Sequence, residues 1–101
     1  MEISQAQKQV DEFIQKFGGY WTPLSMMARI TEEIGELARA MNIKHGQKKS
    51  KNENDGRELE KELADVLFTT LALANSEGIN LEKEFLDKIK YDDKKCKGVY
   101  D

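Results

Sequence analysis

The 101-residue sequence predicts an all-α protein built as a four-helix bundle. Three observations support this fold class: apolar residues recur at spacings of three and four, the chain has one proline, and runs of β-branched residues are few. A chain of this length cannot build two hydrophobic cores. Residues 1–101 are therefore expected to form a single domain.

The first two helices have clear start and stop signals. The first is predicted from Ser4 to Phe17, because apolar side chains share one face of this segment and Gly18–Gly19 ends it. The second begins at Thr22, a capping residue, and Pro23 follows in the first helical position, where its missing amide hydrogen costs nothing. This helix is expected to end near Ile43.

The second half of the chain contains a polar segment and two more helices. Residues 44–56 are rich in turn formers and lack large apolar groups, so they are predicted to form a mobile loop. The third helix spans 57–76 and is apolar on nearly every side from Leu63 to Ala74, as in the most buried helix of a bundle. Asn80 can cap the fourth helix, which has Leu81, Phe85 and Ile89 on its inner face. The apolar periodicity is lost after this helix, so residues 95–101 are predicted to be a flexible tail.

Composition excludes several classes of protein. A formal net charge of -3 argues against a general nucleic-acid binder that relies on phosphate attraction. The longest apolar stretches are too short to cross a bilayer, and the N-terminus lacks the order of a signal peptide. A cytoplasmic protein without membrane partners is therefore expected. Cys96 is the single cysteine, which excludes an internal disulfide and a thiolate zinc cluster.

Two pairs of acidic residues carry the candidate chemistry. Glu33 and Glu36 lie three residues apart on the second helix, so both point the same way. The same spacing relates Glu62 and Asp65 on the third helix. Carboxylates facing one another across two helices repel strongly unless a cation neutralises them. All-oxygen ligands suit magnesium or manganese, whereas the lone His45 argues against zinc.

Ordinary surface ion pairs are the alternative explanation for these acids. Three such pairs are available at helical spacing: Arg29 with Glu33, Glu36 with Arg39, and Lys61 with Asp65. The metal site is favoured because both acidic pairs adjoin the most apolar segments of the chain, where a charge without a partner is energetically costly.

The two acidic motifs together resemble those of a known family. The segment TEEIGELARAMN carries an EExxE motif, KELADVLFTTLALANSEGINLEKEF carries an ExxD motif, and 25 residues separate Glu36 from Glu62. With the four-helix order, they resemble the MazG-like, all-α nucleoside triphosphate pyrophosphohydrolases, in their short single-domain branch. The resemblance covers most of the chain.

This resemblance implies Mg²⁺-dependent hydrolysis of a nucleoside or deoxynucleoside triphosphate to the monophosphate and pyrophosphate, with Mn²⁺ as an alternative ion. Such an activity removes unwanted nucleotides from the pool. The positions that match the family's metal ligands are Glu33, Glu36, Glu62 and Asp65. Glu32 matches a residue that holds another ion or orients the attacking water, so Glu32 and Glu33 are the candidate catalytic acids.

Candidate substrate-binding residues lie at both ends of the chain. Lys90 and Lys94 resemble the family's Lys-aromatic-x-x-Arg element, although lysine at the second position lacks the fork of arginine. A solvated lysine tail is the alternative. Trp21, with Tyr20, is a candidate for stacking on the base, because it directly precedes the metal-bearing helix. Aromatic residues there also commonly staple the helix start to the core.

Self-association is the final expectation. Four helices with nearly all-round apolar segments expose more surface than a monomer of this size can cover. The resemblance implies a homodimer or a dimer of dimers, with active sites near the interfaces. Two other functions remain open: a biosynthetic enzyme like phosphoribosyl-ATP pyrophosphohydrolase, and a non-enzymatic helical assembly module. Magnesium-dependent release of pyrophosphate would distinguish either enzyme from the non-enzymatic module.

Overall fold

The computed structural model of the protein describes residues 1–46 and 58–100, and the regular structure in this part of the chain is entirely helical. The helices are α1 (Ile3–Lys16), α2 (Pro23–Lys44), α3 (Glu58–Ser76) and α4 (Leu81–Tyr100). The predicted all-α fold is confirmed. The predicted loop falls almost wholly on 47–57, which lies outside the described residues. None of the described helices is long and apolar enough to cross a membrane.

The predicted helix starts are set by side-chain caps. The hydroxyl oxygen of Thr22 accepts a hydrogen bond from the backbone N–H of Ser25 at 3.3 Å. At the start of α4, the side-chain oxygen of Asn80 accepts one from the N–H of Lys83 at 3.1 Å. Both caps occupy amide groups that have no partner inside the helix. Gly18–Gly19 follows α1 with φ values of 109° and 90°, which residues with a side chain rarely adopt.

The fourth helix is longer than the sequence pattern suggests. It continues to Tyr100, through most of the segment 95–101 where a flexible tail was expected. Ion pairs one turn apart line its solvent-exposed side: Lys88 with Asp92 at 2.7 Å, and Lys97 with Asp93 at 3.2 Å. Such pairs stabilise a helix that has lost its apolar face. Apolar periodicity therefore underestimated the length of α4.

The core lies where α1 and α2 pack against α3. Val10, Met26, Leu71 and Ala72 form its buried cluster. The pair α2 and α3 makes the most extensive contact, α1 lies on α3, and α4 contacts α1. The central position of α3 agrees with its apolar composition. Two large apolar side chains in its N-terminal half are nevertheless exposed, Leu63 at 53% and Leu67 at 58%.

A buried polar network joins α1 to the turn between α3 and α4. The side-chain amide of Gln7 donates to the side-chain oxygen of Asn75 and to the carbonyl of Ile79, both at 3.0 Å. Its own oxygen accepts from the N–H of Leu81 at 3.1 Å, and the Asn75 amide donates to the Gln7 carbonyl at 2.8 Å. These bonds fix the position of α1 over α3.

A separate hydrogen bond connects α1 to the segment before α2. The phenol of Tyr20 donates to a carboxylate oxygen of Asp11 at 2.5 Å. Burial and this hydrogen bond raise the pKa of Tyr20 to about 12. The raised pKa keeps the phenol a hydrogen-bond donor into alkaline solution, and its hydrogen bond holds the approach to α2 against α1.

Candidate active site

Three acidic side chains from two helices converge beside the core. Glu33 of α2 and Glu62 and Asp65 of α3 each offer a carboxylate oxygen within 4.8 Å of the other two. Glu33 and Glu62 are buried and Asp65 is half-buried. We call these residues the acidic cluster. Three carboxylates so close together form a hard, all-oxygen donor set, which fits Mg²⁺ or Mn²⁺ rather than a softer metal.

The other two acids of the EExxE motif lie outside the acidic cluster. Glu36 is exposed, and its carboxylate is not among the described oxygens that converge. Glu32 is exposed at the rim, where one carboxylate oxygen lies 3.8 Å from Nη1 of Arg29. The spacing of three residues aligns Glu36 with Glu33 along α2, but Glu36 is about one helical turn farther on. Its role as a ligand, and the catalytic role of Glu32, remain predictions.

Arg29 pairs with the buried acid of α2. Its Nε atom lies 3.0 Å from Oε1 of Glu33, and the exposed fraction of the Arg29 side chain is 49% against 8% for Glu33. This is one of the ion pairs that the alternative explanation anticipated. Because the carboxylate is buried, the pair differs from an ordinary surface pair, and its loss would leave a buried charge without a partner.

A cavity of about 270 Å³ opens beside the acidic cluster, between α1, α2 and α3. Its charged lining residues are Arg29, Glu33 and Asp65. Rings from α1 and α3 meet edge to face there, with the centroids of Phe13 and Phe68 5.8 Å apart. The aromatic lining residues, which we call the aromatic wall, are Phe13, Phe17, Tyr20, Trp21 and Phe68. A mainly apolar cavity with a few polar groups is typical of a site for a small molecule.

Sequence reasoning missed most of this aromatic wall. Phe13 and Phe17 belong to the apolar face predicted for the first helix, and both are more than half exposed and line the cavity. Phe68 lies three residues after Asp65 and therefore on the same side of α3. That spacing is the signal that could have placed an aromatic ring beside the acidic pair.

The two predicted stacking residues have different surroundings. Tyr20 is half-buried, packs against the core and is held by Asp11. Trp21 is 60% exposed, and both residues line the cavity and the groove outside it. Tyr20 therefore staples the helix start, whereas Trp21 has a ring face available to a ligand. Stacking by Trp21 remains a prediction.

The two predicted phosphate-binding lysines lie elsewhere. Lys90 and Lys94 are exposed on α4, and neither is among the described residues that line the cavity. The main contact of α4 is with α1 rather than with the acid-bearing helices. Their role toward phosphate remains a prediction.

The chain is similar in sequence to known proteins. A family model for the MazG nucleotide pyrophosphohydrolase domain matches residues 21–97. An uncharacterised protein of Bacillus subtilis, YpjD, is 50% identical over 78 residues, which cover 76% of this chain and 70% of that protein.

Two crystal structures are similar to the whole fold. One is of a Bacillus-conserved MazG protein, a nucleotide pyrophosphohydrolase: the TM-score is 0.77 at 41% identity, covering 90% of this chain and 88% of that one. The other is of the putative pyrophosphatase YpjD from B. subtilis. Its TM-score is 0.77 at 44% identity, covering 91% of this chain and 94% of that one.

Proposed function

Because the chain belongs to the MazG nucleotide pyrophosphohydrolase family, we propose that it hydrolyses a nucleoside or deoxynucleoside triphosphate to the monophosphate and pyrophosphate with Mg²⁺. The observation that carries this proposal is the acidic cluster beside a cavity with an aromatic wall. The cavity has the chemistry to take a base, and the cluster has the chemistry to hold the cation that a triphosphate carries.

The carboxylates of Glu33, Glu62 and Asp65 would hold Mg²⁺, or Mn²⁺ in its place. When bound, the cation neutralises phosphate charge and lowers the pKa of the attacking water. Glu32, at the rim, accepts the proton of that water or adds a further ligand. The aromatic wall keeps bulk water from the base, and the exposed ring of Trp21 stacks on it.

Self-association is part of the same proposal. Large apolar side chains are exposed on three of the described helices: Ile34 on α2, Leu63 and Leu67 on α3, Phe85 and Ile89 on α4. Association of two chains would remove such apolar surface from water. We propose a homodimer or a dimer of dimers, in which Lys90 and Lys94 reach the phosphates of a neighbouring site.

Light scattering after gel filtration tests the assembly. The wild-type chain is expected to elute as a dimer or tetramer, and Leu67→Glu is expected to shift it toward the monomer because a charge cannot enter an apolar interface. Lys8→Glu, on the exposed side of α1, is the matched control and should leave the mass unchanged. A monomeric wild-type protein would contradict the proposal.

Hydrolysis in ¹⁸O water tests the reaction. A panel of nucleoside triphosphates, deoxynucleoside triphosphates and phosphoribosyl-ATP is incubated with the protein and Mg²⁺, and the products are separated. We expect pyrophosphate to leave as one unit. The ¹⁸O label should appear in the nucleoside monophosphate, because the attack is at the α-phosphorus. A chelator should stop the reaction. Release of single phosphate and nucleoside diphosphate would refute the proposed bond cleavage.

A further inference from the structure

Arg29 occupies the boundary between the acidic cluster and solvent. Its Nε atom is 3.0 Å from the Glu33 carboxylate, while Nη1 is 3.8 Å from that of Glu32, beyond hydrogen-bond distance. Half of the side chain is exposed, although its partner Glu33 is buried. The guanidinium therefore covers the outer side of the cluster and still has room to move outward.

The same residue borders two spaces at once. It lines the aromatic cavity together with Glu33 and Asp65, and it lines the outer groove together with Trp21 and Glu32. Among the described residues of the cavity wall, Arg29 is the only lysine or arginine. For a nucleotide whose base stacked on the aromatic wall, Arg29 is therefore the cavity-lining cation within the described residues that is available to the phosphates.

The charges explain why an arginine is needed there before any ligand binds. A buried carboxylate without a counter-charge is costly, and two further carboxylates lie within 4.8 Å of Glu33. Arginine stays charged at any physiological pH and forms its strongest hydrogen bonds with carboxylates and phosphates. A divalent cation at the cluster would neutralise Glu33 instead and would repel the guanidinium.

We propose that Arg29 is an internal counter-ion with two partners in turn. It pairs with Glu33 while the acidic cluster is without a divalent cation, and it pairs with a phosphate oxygen of the nucleotide once the carboxylates hold the cation. This inference rests on the proposed function, because its second partner is the proposed substrate. Arg29 thus couples cation binding to triphosphate binding.

A purely structural pair between Arg29 and Glu33 makes the opposite prediction for the cation. If Arg29 serves to hold Glu33 in place, its removal should loosen the acidic cluster and weaken metal binding. If Arg29 competes with the cation, its removal should strengthen metal binding and weaken only the binding of phosphates. The sign of the change in metal affinity therefore separates the two roles.

The test compares Arg29→Gln, Arg29→Lys and the control Lys83→Gln, which breaks an exposed pair with Asp87 on α4. Calorimetry measures binding of Mn²⁺ alone, and binding of inorganic tripolyphosphate at saturating Mg²⁺. For Arg29→Gln we expect Mn²⁺ affinity to rise about fivefold or more and tripolyphosphate affinity to fall about tenfold. Arg29→Lys should keep near wild-type Mn²⁺ affinity and bind tripolyphosphate with intermediate affinity, and the control should change neither.

The results that overturn the inference are distinct from those that overturn the function. Weaker Mn²⁺ binding by Arg29→Gln, accompanied by a lower melting temperature without metal, would assign Arg29 a structural role. If Arg29→Gln left the affinity for Mn²⁺ or for tripolyphosphate unchanged, Arg29 would not be a counter-ion that alternates between the two partners. Failure of the wild-type protein itself to bind Mn²⁺ would refute the acidic cluster as a cation site, and with it both proposals.

Discussion

The Asp65→Asn variant is expected to lose at least about a thousandfold in turnover, because several kcal/mol of transition-state stabilisation depend on a cation held by these carboxylates. Asp65 lies within 4.8 Å of Glu33 and Glu62 and is half-buried. Asparagine has nearly the same shape but removes one of three clustered charges. The metal-free protein should therefore melt at the same temperature or higher, since repulsion within the cluster falls.

Release of pyrophosphate and thermal melting without metal measure the two effects. The matched control is Asp87→Asn, which removes an exposed carboxylate 2.9 Å from Lys83 on α4. This control should keep wild-type turnover, because an exposed pair of this kind contributes little and lies away from the cavity wall. An Asp65→Asn protein that stays active would contradict the role of the cluster. A variant that loses stability together with activity would point to a structural ion pair instead.

The Gln7→Ala variant is expected to lose about 3 kcal/mol or more in free energy of unfolding, because it leaves buried partners without hydrogen bonds. Gln7 is 9% exposed and satisfies Asn75, the Ile79 carbonyl and the Leu81 N–H together. Alanine also frees α1 from the turn between α3 and α4. Because α1 carries Phe13 and Phe17, the cavity should lose shape along with the stability.

Urea unfolding at a single protein concentration measures this effect, since association would otherwise change the apparent stability. The control is Gln9→Ala, two residues farther along α1 and exposed to solvent. It should change the free energy of unfolding by no more than about 0.5 kcal/mol. Equal losses in the two variants would mean that the network does not hold α1.

Much of the fold follows from local signals. Thr22 and Asn80 start helices because each provides an oxygen for an amide without a helical partner, and no distant contact is needed for that. The length of α4 was less predictable, because exposed ion pairs such as Lys88 with Asp92 support a helix without an apolar stripe. Local chemistry therefore specified where helices begin better than where the last one ends.

The sequence by itself determined the all-α fold, the family and the common direction of Glu62 and Asp65, because helical spacing dictates which side chains share a face. Only the tertiary structure decided that Glu33 meets Glu62 and Asp65 while Glu36 remains outside. The relative rotation and register of α2 and α3 select which acids converge, and these depend on packing between residues distant in the chain. The pairing of Arg29 with Glu33 follows from their spacing along one helix. Packing, by contrast, turned Phe13 toward a cavity, which spacing along one helix could not specify.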